Sequence, residues 1–179
     1  MLSRLAEAYR EDIQIRSFGL ERNSVDGWRV NVHEITPGVV YDSAGVRVTA
    51  IQVPHGEWPM ALAYRVDTPD RSIVISGDTR ASNALAQLAQ GVDVLVHSIY
   101  PEWGTVANPS SLVHIDSTYF RSYHTSSIEL GRIATVAKPK LLLLTHVVRA
   151  GATDDELIAG IRAGGYTGAV QVGKELVRY

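Results

Sequence analysis

Three side chains that can bind a metal follow strand-like segments of the sequence. Each of His55, Asp78 and His146 comes directly after a short apolar stretch that is typical of a buried strand. Strands that end at one edge of a sheet bring the residues after them together, and open α/β sheets place their chemistry there. Two imidazoles and a carboxylate are suitable ligands for Zn²⁺, Mn²⁺ or Fe²⁺. The pattern therefore indicates a metal site.

A purely structural interpretation of these residues stays open at this point. Asp78 belongs to Gly77-Asp78-Thr79, which ends the β-branched run 72–76, and aspartate is also a favoured N-cap for the helix that follows. A single histidine after a strand is more often structural than metal-bound. The metal hypothesis depends on three such groups at matching strand ends.

His124 is a candidate of a different kind, because it lies just before a helix, at the end of an irregular, aromatic-rich segment (residues 100–123). Histidine titrates near neutral pH, so this position suits proton transfer, although an exposed helix flank is the alternative. His33 is expected to be a solvated strand residue, and His97 a satisfied core histidine. His114 has no assigned role.

Hydrophobic periodicity predicts the elements that position these residues. Apolar side chains at helical spacing predict a helix over residues 2–16, and alternation predicts a strand over residues 28–35. In the second part of the chain strands and helices alternate, with capping boxes at Ser126 and Thr153 and a closing strand over residues 175–179. The predicted fold class is α/β, a mixed sheet covered by helices.

Composition excludes several classes of protein. The 179 residues are 45% hydrophobic and 20% charged, with a net charge of −2 and a pI near 6.3, which gives no electrostatic basis for binding nucleic acid or an anionic membrane. No apolar run approaches the roughly 20 residues that span a bilayer, and no signal-peptide pattern is present, so a cytoplasmic protein is expected. Cysteine is absent, which excludes disulfides and thiolate metal sites.

Six segments, in order along nearly the whole chain, resemble the metallo-β-lactamase fold, and most closely its ribonuclease Z-like branch. The resemblance implies a four-layer αββα sandwich with a dinuclear metal site, usually zinc, in which manganese or iron can replace zinc. The segments are Val53-Pro54-His55-Gly56, Ala63-Tyr64-Arg65-Val66, Ser76-Gly77-Asp78-Thr79, Asp93-Val94-Leu95-Val96-His97, His124-Thr125-Ser126 and Leu144-Thr145-His146.

The same resemblance implies a role for each candidate. His55 corresponds to a ligand of the first metal, Asp78 to the carboxylate that bridges both metals, and His146 to a ligand of the second metal. His124, 22 positions before His146, corresponds to a histidine that assists the leaving group. Asp78 and His124 are therefore the expected catalytic residues.

The sequence also departs from the family pattern. The signature His-x-His-x-Asp-His, which supplies four ligands, is absent. We therefore expect residues 1–179 to form a single partial domain, incomplete at the N-terminus, without the first sheet and its metal-binding motif. Ser98 stands where relatives commonly have an acidic residue. Only 23 positions separate His55 from Asp78, which leaves no room for a tRNA-gripping arm, and this disfavours tRNA as a substrate.

Two functions are compatible with these residues and with the resemblance. The first is a metal-dependent hydrolase that uses metal-bound hydroxide on a small ester, lactone, sulfate ester or phosphodiester, or the C-terminal part of such an enzyme. The second is a non-catalytic truncated or degenerate module, or half of a two-chain assembly, because three of seven expected ligands are present. The expected partners are a small-molecule substrate and either a second copy or a complementing N-terminal half, with no membrane.

Overall fold

The computed structural model describes residues 2–102 and 117–179. The chain divides into two compact units, Met1–Ile35 and Thr36–Tyr179. The first unit contains helices α1 (Leu2–Ala8) and α2 (Arg10–Phe18). These helices confirm the predicted helical segment, which is interrupted by a turn at Tyr9.

The predicted strand over residues 28–35 is wrong. These residues form turns and irregular backbone, and Trp28, Val30 and Val32 are 44%, 64% and 62% exposed. Alternating side chains produce a strand only where a second strand supplies the hydrogen-bonded ladder, and none pairs with this segment among the described residues. His33 is exposed here, but not on a strand.

The second unit is built on one mixed, seven-stranded sheet whose strands are neighbours in sequence order. The first four strands pair antiparallel, and β4 to β7 pair parallel. The strands are β1 (Gly38–Ser43), β2 (Val46–Val53), β3 (Ala61–Asp67), β4 (Ser72–Ile75), β5 (Val94–Ile99), β6 (Leu141–Val147) and β7 (Ala169–Val172). The predicted α/β class is confirmed.

In the described residues, four helices accompany this sheet: α3 (Asn83–Leu88), α4 (Ser117–Tyr123), α5 (Ser127–Ala137) and α6 (Asp154–Ala163). Both predicted capping boxes are present, since Ser126 and Thr153 each accept from a backbone N–H three residues later and receive the reciprocal glutamate contact. Helices α3, α5 and α6 bury their apolar residues against alternate positions of the strands, including Val74, Leu95 and Leu142. This packing makes the parallel part of the sheet the rigid base of the unit.

The opposite face of the sheet is also apolar. The intervening positions carry Val66, Ile73, Ile75, Val96 and Leu143, which lie outside the buried core. Ile75 is 44% exposed. The described residues thus contain one sheet with two apolar faces, where the resemblance implies two sheets packed together.

Two further segments differ from the sequence predictions. Residues 175–179 form a turn and irregular backbone, so the predicted closing strand is wrong. Within the aromatic segment, Ser117–Tyr123 is helix α4 and not irregular, whereas residues 103–116, with Trp103 and His114, lie outside the described residues. Among the described residues, no helix has both the length and the apolar character needed to cross a membrane.

Candidate metal centre

The four candidate residues meet at one edge of the sheet. Strand β2 is antiparallel to β3 and β3 to β4, so β2 runs in the same direction as the parallel strands β4, β5 and β6. His55 follows β2, Asp78 follows β4, and His146 lies near the carboxyl end of β6. His124 comes from the connection between α4 and α5. The strand directions alone therefore place His55, Asp78 and His146 at a common edge.

Three of the four present a compact set of metal-ligand atoms. One ligand atom each from Asp78, His124 and His146 lie within 4.8 Å of one another. His146 Nε2 and Asp78 Oδ2 are 3.5 Å apart. Helix α3 takes its N-cap from Ser82, so Asp78 does not cap it. The carboxylate is left available for a metal.

His55 stands beside this set, although it is not one of its three members. Its ring centroid is 5.8 Å from that of His124. Its Nδ1 lies 2.8 Å from the carbonyl oxygen of Tyr123, so Nδ1 carries the proton and donates it to that oxygen. A hydrogen bond of this kind fixes the tautomer and leaves Nε2 free to bind a metal. No pattern in the sequence indicated this contribution of Tyr123.

Buried threonines join the loops that carry the candidates. Thr79 is fully buried, and its hydroxyl hydrogen is shared between the carbonyl of Arg80, 2.7 Å away, and the carbonyl of Pro54, 3.1 Å away. Thr125, also fully buried, donates from its hydroxyl to the carbonyl of Thr79 over 2.8 Å. These two hydrogen bonds connect the neighbours of His55, Asp78 and His124 and so tie the three loops together.

Gly77 shapes the turn that presents Asp78. Its φ is +60°, which disfavours L side chains, and an added Cβ would lie 2.9 Å from the carbonyl oxygen of Leu62. Glycine therefore lets β4 end abruptly against β3. The turn directs the next side chain to the edge of the sheet.

A bulge presents His146. In the β5–β6 ladder Ser98 pairs with Thr145 and Ile99 with Val147, so that His146 is an extra residue without a partner strand residue. Its φ is +41°, in the left-handed region that non-glycine residues rarely adopt. Bulges of this kind often redirect a side chain beside an active site. The strained backbone at His146 therefore orients the side chain of a candidate metal ligand.

The strain at His146 predicts an unusual order of stability. We expect His146→Gly to be more stable than His146→Ala, with a free energy of unfolding about 0.5–1 kcal/mol higher. Glycine adopts the left-handed backbone conformation without the cost that alanine has there. Urea denaturation of the metal-free variants measures this difference. At the neighbouring Thr145 the order should be reversed, with the alanine variant the more stable. The same order at both positions would contradict the strained bulge.

His124 is almost fully buried, with 7% of its surface exposed. Burial lowers the pKa of its imidazole, an effect that the charge of Asp78 partly opposes. Its Nδ1 is a buried nitrogen without a hydrogen-bond partner among the described residues. A neutral imidazole with a free nitrogen suits either a metal ligand or a donor toward developing negative charge. Ser98, whose hydroxyl is also buried and unpartnered in the described part of the chain, supplies no carboxylate.

His97 differs from the sequence expectation. It is fully buried as predicted, and its Nδ1 lies 2.7 Å from the carbonyl of Ser98. Its Nε2, however, has no partner within the described ranges. It is therefore a half-satisfied core histidine.

The residues present fit a divalent cation. An oxygen and two nitrogens converge, a second-layer hydrogen bond orients the nearby His55, and the buried Nδ1 of His124 has no partner within residues 2–102 and 117–179. The sequence indicated His55, Asp78 and His146, and the structure brings all three to one edge. It also places His124 within the compact set, where the resemblance implies a catalytic role and not a ligand.

Comparison with known proteins identifies the family. The family model of the β-lactamase superfamily domain matches residues 7–147, well over half of the chain. The chain belongs to the metallo-β-lactamase superfamily. A curated ribonuclease Z from Mycobacterium tuberculosis (strain ATCC 25618 / H37Rv) is 30% identical to this superfamily member over 150 residues. That match covers 83% of this chain and 54% of the relative, and it supports the ribonuclease Z-like branch.

Solved structures show the same fold. The metallo-β-lactamase fold protein YhfI from Bacillus subtilis aligns with a TM-score of 0.57 and 20% identity, over 75% of this chain and 49% of that one. The short form of human tRNase Z aligns with a TM-score of 0.52 and 17% identity, over 78% and 44%. The metallo-β-lactamase fold implies the use of a divalent metal, which agrees with the donors assembled here.

The matches of this superfamily member cover 40% to 65% of the length of curated ribonuclease Z relatives. Its six histidines include no His-x-His-x-Asp-His segment. Among the described residues, the donors that converge are those at the carboxyl edge of the seven-stranded sheet.

Proposed function

We propose that this chain is a metal-dependent hydrolase of an ester-type bond, or the C-terminal part of one, and that its substrate is a small phosphodiester. The convergence of Asp78, His124 and His146 at the edge of a metallo-β-lactamase sheet is the observation that carries the proposal. A phosphodiester is favoured over a neutral ester or lactone because the curated relatives are named ribonuclease Z. Zinc is the expected metal, with manganese or iron as alternatives.

Each residue has a defined part in this proposal. Asp78, His146 and His55 would hold the metal, and His124 would either complete that set or act on the substrate. A bound divalent cation would supply Lewis acidity and lower the pKa of a coordinated water. Hydrolysis adds water across the P–O bond, which breaks, and the leaving oxygen gains a proton. In this proposal His124 would donate a hydrogen bond to that oxygen, because a neutral imidazole retains one N–H.

The segment between His55 and Asp78 supports a small substrate. It contains a turn and the strands β3 and β4, and the two strands account for half of its length. The proposal therefore excludes tRNA as the physiological substrate. It includes a protein partner, either a second copy or a chain that brings further ligands, because the second face of the sheet is apolar and Ile75 is 44% exposed.

A turnover experiment separates the two roles of His124. We expect the zinc-loaded chain to hydrolyse bis(p-nitrophenyl) phosphate, and His124→Ala to lower kcat by about 100-fold with zinc content unchanged. His33→Ala, which removes an exposed histidine from the first unit, is the matched control. Equal loss of zinc and activity in His124→Ala would make His124 a ligand. No turnover above that of an Asp78→Asn variant would contradict the hydrolase.

The missing signature motif favours a second candidate, a non-catalytic module. Four of the family's expected ligands have no counterpart in this sequence. Such a module would bind metal weakly and hydrolyse none of the four ester classes. The same turnover experiment, with zinc content measured alongside, distinguishes it from the hydrolase.

A further inference from the structure

A cavity of about 370 Å³ lies next to the candidate metal centre in the fold. Every residue in its wall is within two positions of His55, Asp78 or His124 along the chain. The wall is formed by Pro54, Gly56, Glu57, Arg80, Ser122 and Tyr123. The cavity is therefore built from the same loops that present the metal donors.

One aromatic side chain is shared by the cavity and the metal centre. The ring of Tyr123 packs edge-on against the ring of His55, with centroids 5.1 Å apart. The ring of Tyr123 also stacks on Tyr119, with centroids 4.7 Å apart. The backbone N–H of Gly56 donates to the carbonyl of Ser122 over 2.9 Å, which closes the wall. A molecule in the cavity would thus lie one side chain away from the donors.

Arg80 brings a positive charge to this cavity. Its backbone is fixed, since its N–H donates to the carbonyl of Pro54 over 3.0 Å and its carbonyl accepts from the hydroxyl of Thr79 over 2.7 Å. Its side chain is exposed and makes no ion pair or hydrogen bond within the described residues. By contrast, Arg65 binds Asp67 at 2.9 Å. Within the described part of the chain, the guanidinium of Arg80 is therefore available to a ligand.

We propose that Arg80 holds the anionic group of the substrate in this cavity, and that it is the residue that selects a charged ester over a neutral one. This inference rests on the proposed hydrolase function. A guanidinium presents a planar fork of donors that matches two oxygens of a phosphate or sulfate. A neutral ester or lactone offers no charge for this fork. The assignment narrows the four ester classes to phosphodiesters and sulfate esters.

The second charged residue in the wall limits how much negative charge the cavity accepts. Glu57 is exposed and lines the same cavity as Arg80. Its carboxylate repels an anion, so removal of its charge should strengthen anion binding while removal of the Arg80 charge weakens it. Opposite effects of the Glu57 and Arg80 substitutions on anion binding would indicate that the anion lies between these two side chains. A merely structural role for either residue would not produce them.

Equilibrium binding tests the subsite without requiring turnover. We expect Arg80→Gln to weaken the binding of phenyl phosphate to the full chain about tenfold, and Glu57→Gln to strengthen it a few-fold, at constant ionic strength. Arg71→Gln is the matched control, because Arg71 is an exposed arginine at the opposite end of β4. The uncharged benzyl alcohol should bind the unaltered chain and the three variants equally. Phenyl sulfate, measured in parallel, distinguishes a sulfate ester from a phosphate ester.

Turnover provides the second readout. Arg80→Gln should lower kcat/KM for bis(p-nitrophenyl) phosphate about tenfold and leave that for p-nitrophenyl acetate unchanged, with equal metal content in both proteins. Unchanged phenyl phosphate binding in Arg80→Gln, or an equal loss in Arg71→Gln, would overturn the assignment. If the chain hydrolyses no ester but Arg80 still controls phenyl phosphate binding, the hydrolase proposal fails and the anion subsite stands.

Discussion

Asp78→Asn is expected to weaken zinc binding by about 100-fold or more and to abolish metal-dependent turnover. Second-layer partners of metal ligands alone are worth about 10- to 100-fold in affinity, so loss of a ligand carboxylate should cost at least as much. Asp78 is the anionic member of the three-donor set, and its oxygen lies 3.5 Å from His146 Nε2. An amide keeps the shape of the side chain and removes the charge that attracts the cation. Titration with zinc against a competing chelator measures the change.

The matched control for this substitution is Asp70→Asn. Asp70 lies in the turn between β3 and β4, at the end of β4 opposite to Asp78, and accepts a hydrogen bond from the hydroxyl of Thr68. It has the same charge and contributes to no candidate site described above. If the two variants lose zinc affinity equally, Asp78 is not a ligand and the binding reflects net charge alone.

His97 is expected to make the fold sensitive to acid. Complete burial lowers the pKa of its imidazole to about 4, a shift that the hydrogen bond to the Ser98 carbonyl opposes, against an ordinary value of 6.5. Between these two values the unfolded chain binds a proton and the folded chain does not. The contribution of His97 to the free energy of unfolding is therefore fully present above pH 6.5 and is lost as the pH decreases toward 4. Over the whole interval between the two pKa values the free energy of unfolding decreases by about 3 kcal/mol, and about 2 kcal/mol of this is lost between pH 7 and pH 5.

Urea denaturation of the metal-free chain at pH 7, 6 and 5 measures this loss. We expect His97→Leu to remove most of the decrease, because leucine has no group to protonate and no buried nitrogen to leave unpartnered. His33→Leu, at an exposed position, should retain the full decrease. A His97→Leu variant that loses as much stability between pH 7 and pH 5 as the unaltered chain would refute the role of His97.

Local patterns predicted the parallel half of the sheet and the helices that cover it. The β-branched run before Gly77 becomes β4, and the capping boxes at Ser126 and Thr153 begin α5 and α6. These elements succeed because strand propensity, capping and burial all favour the same structure. The alternation over residues 28–35 fails because strand formation needs a distant partner, which a local pattern does not reveal.

The sequence predicted which residues meet at the candidate site, but not how their side chains are oriented. Residue order after strands was enough to group His55, Asp78 and His146. The bulge at His146 depends on the register of β6 against β5, and the tautomer of His55 depends on a carbonyl from α4. Both are tertiary features. The entry of His124 into the three-donor set has the same origin, because its position depends on how α4 and α5 are connected.

Metal content is the most direct test of a metal centre at this edge of the sheet. The chain is purified without chelator and its zinc, manganese and iron are measured per polypeptide, alongside Asp78→Asn. We expect a substantial fraction of one equivalent in the unaltered chain and a large decrease in the variant. Less than about a tenth of an equivalent in the unaltered chain, with no uptake of added zinc, would contradict the metal centre.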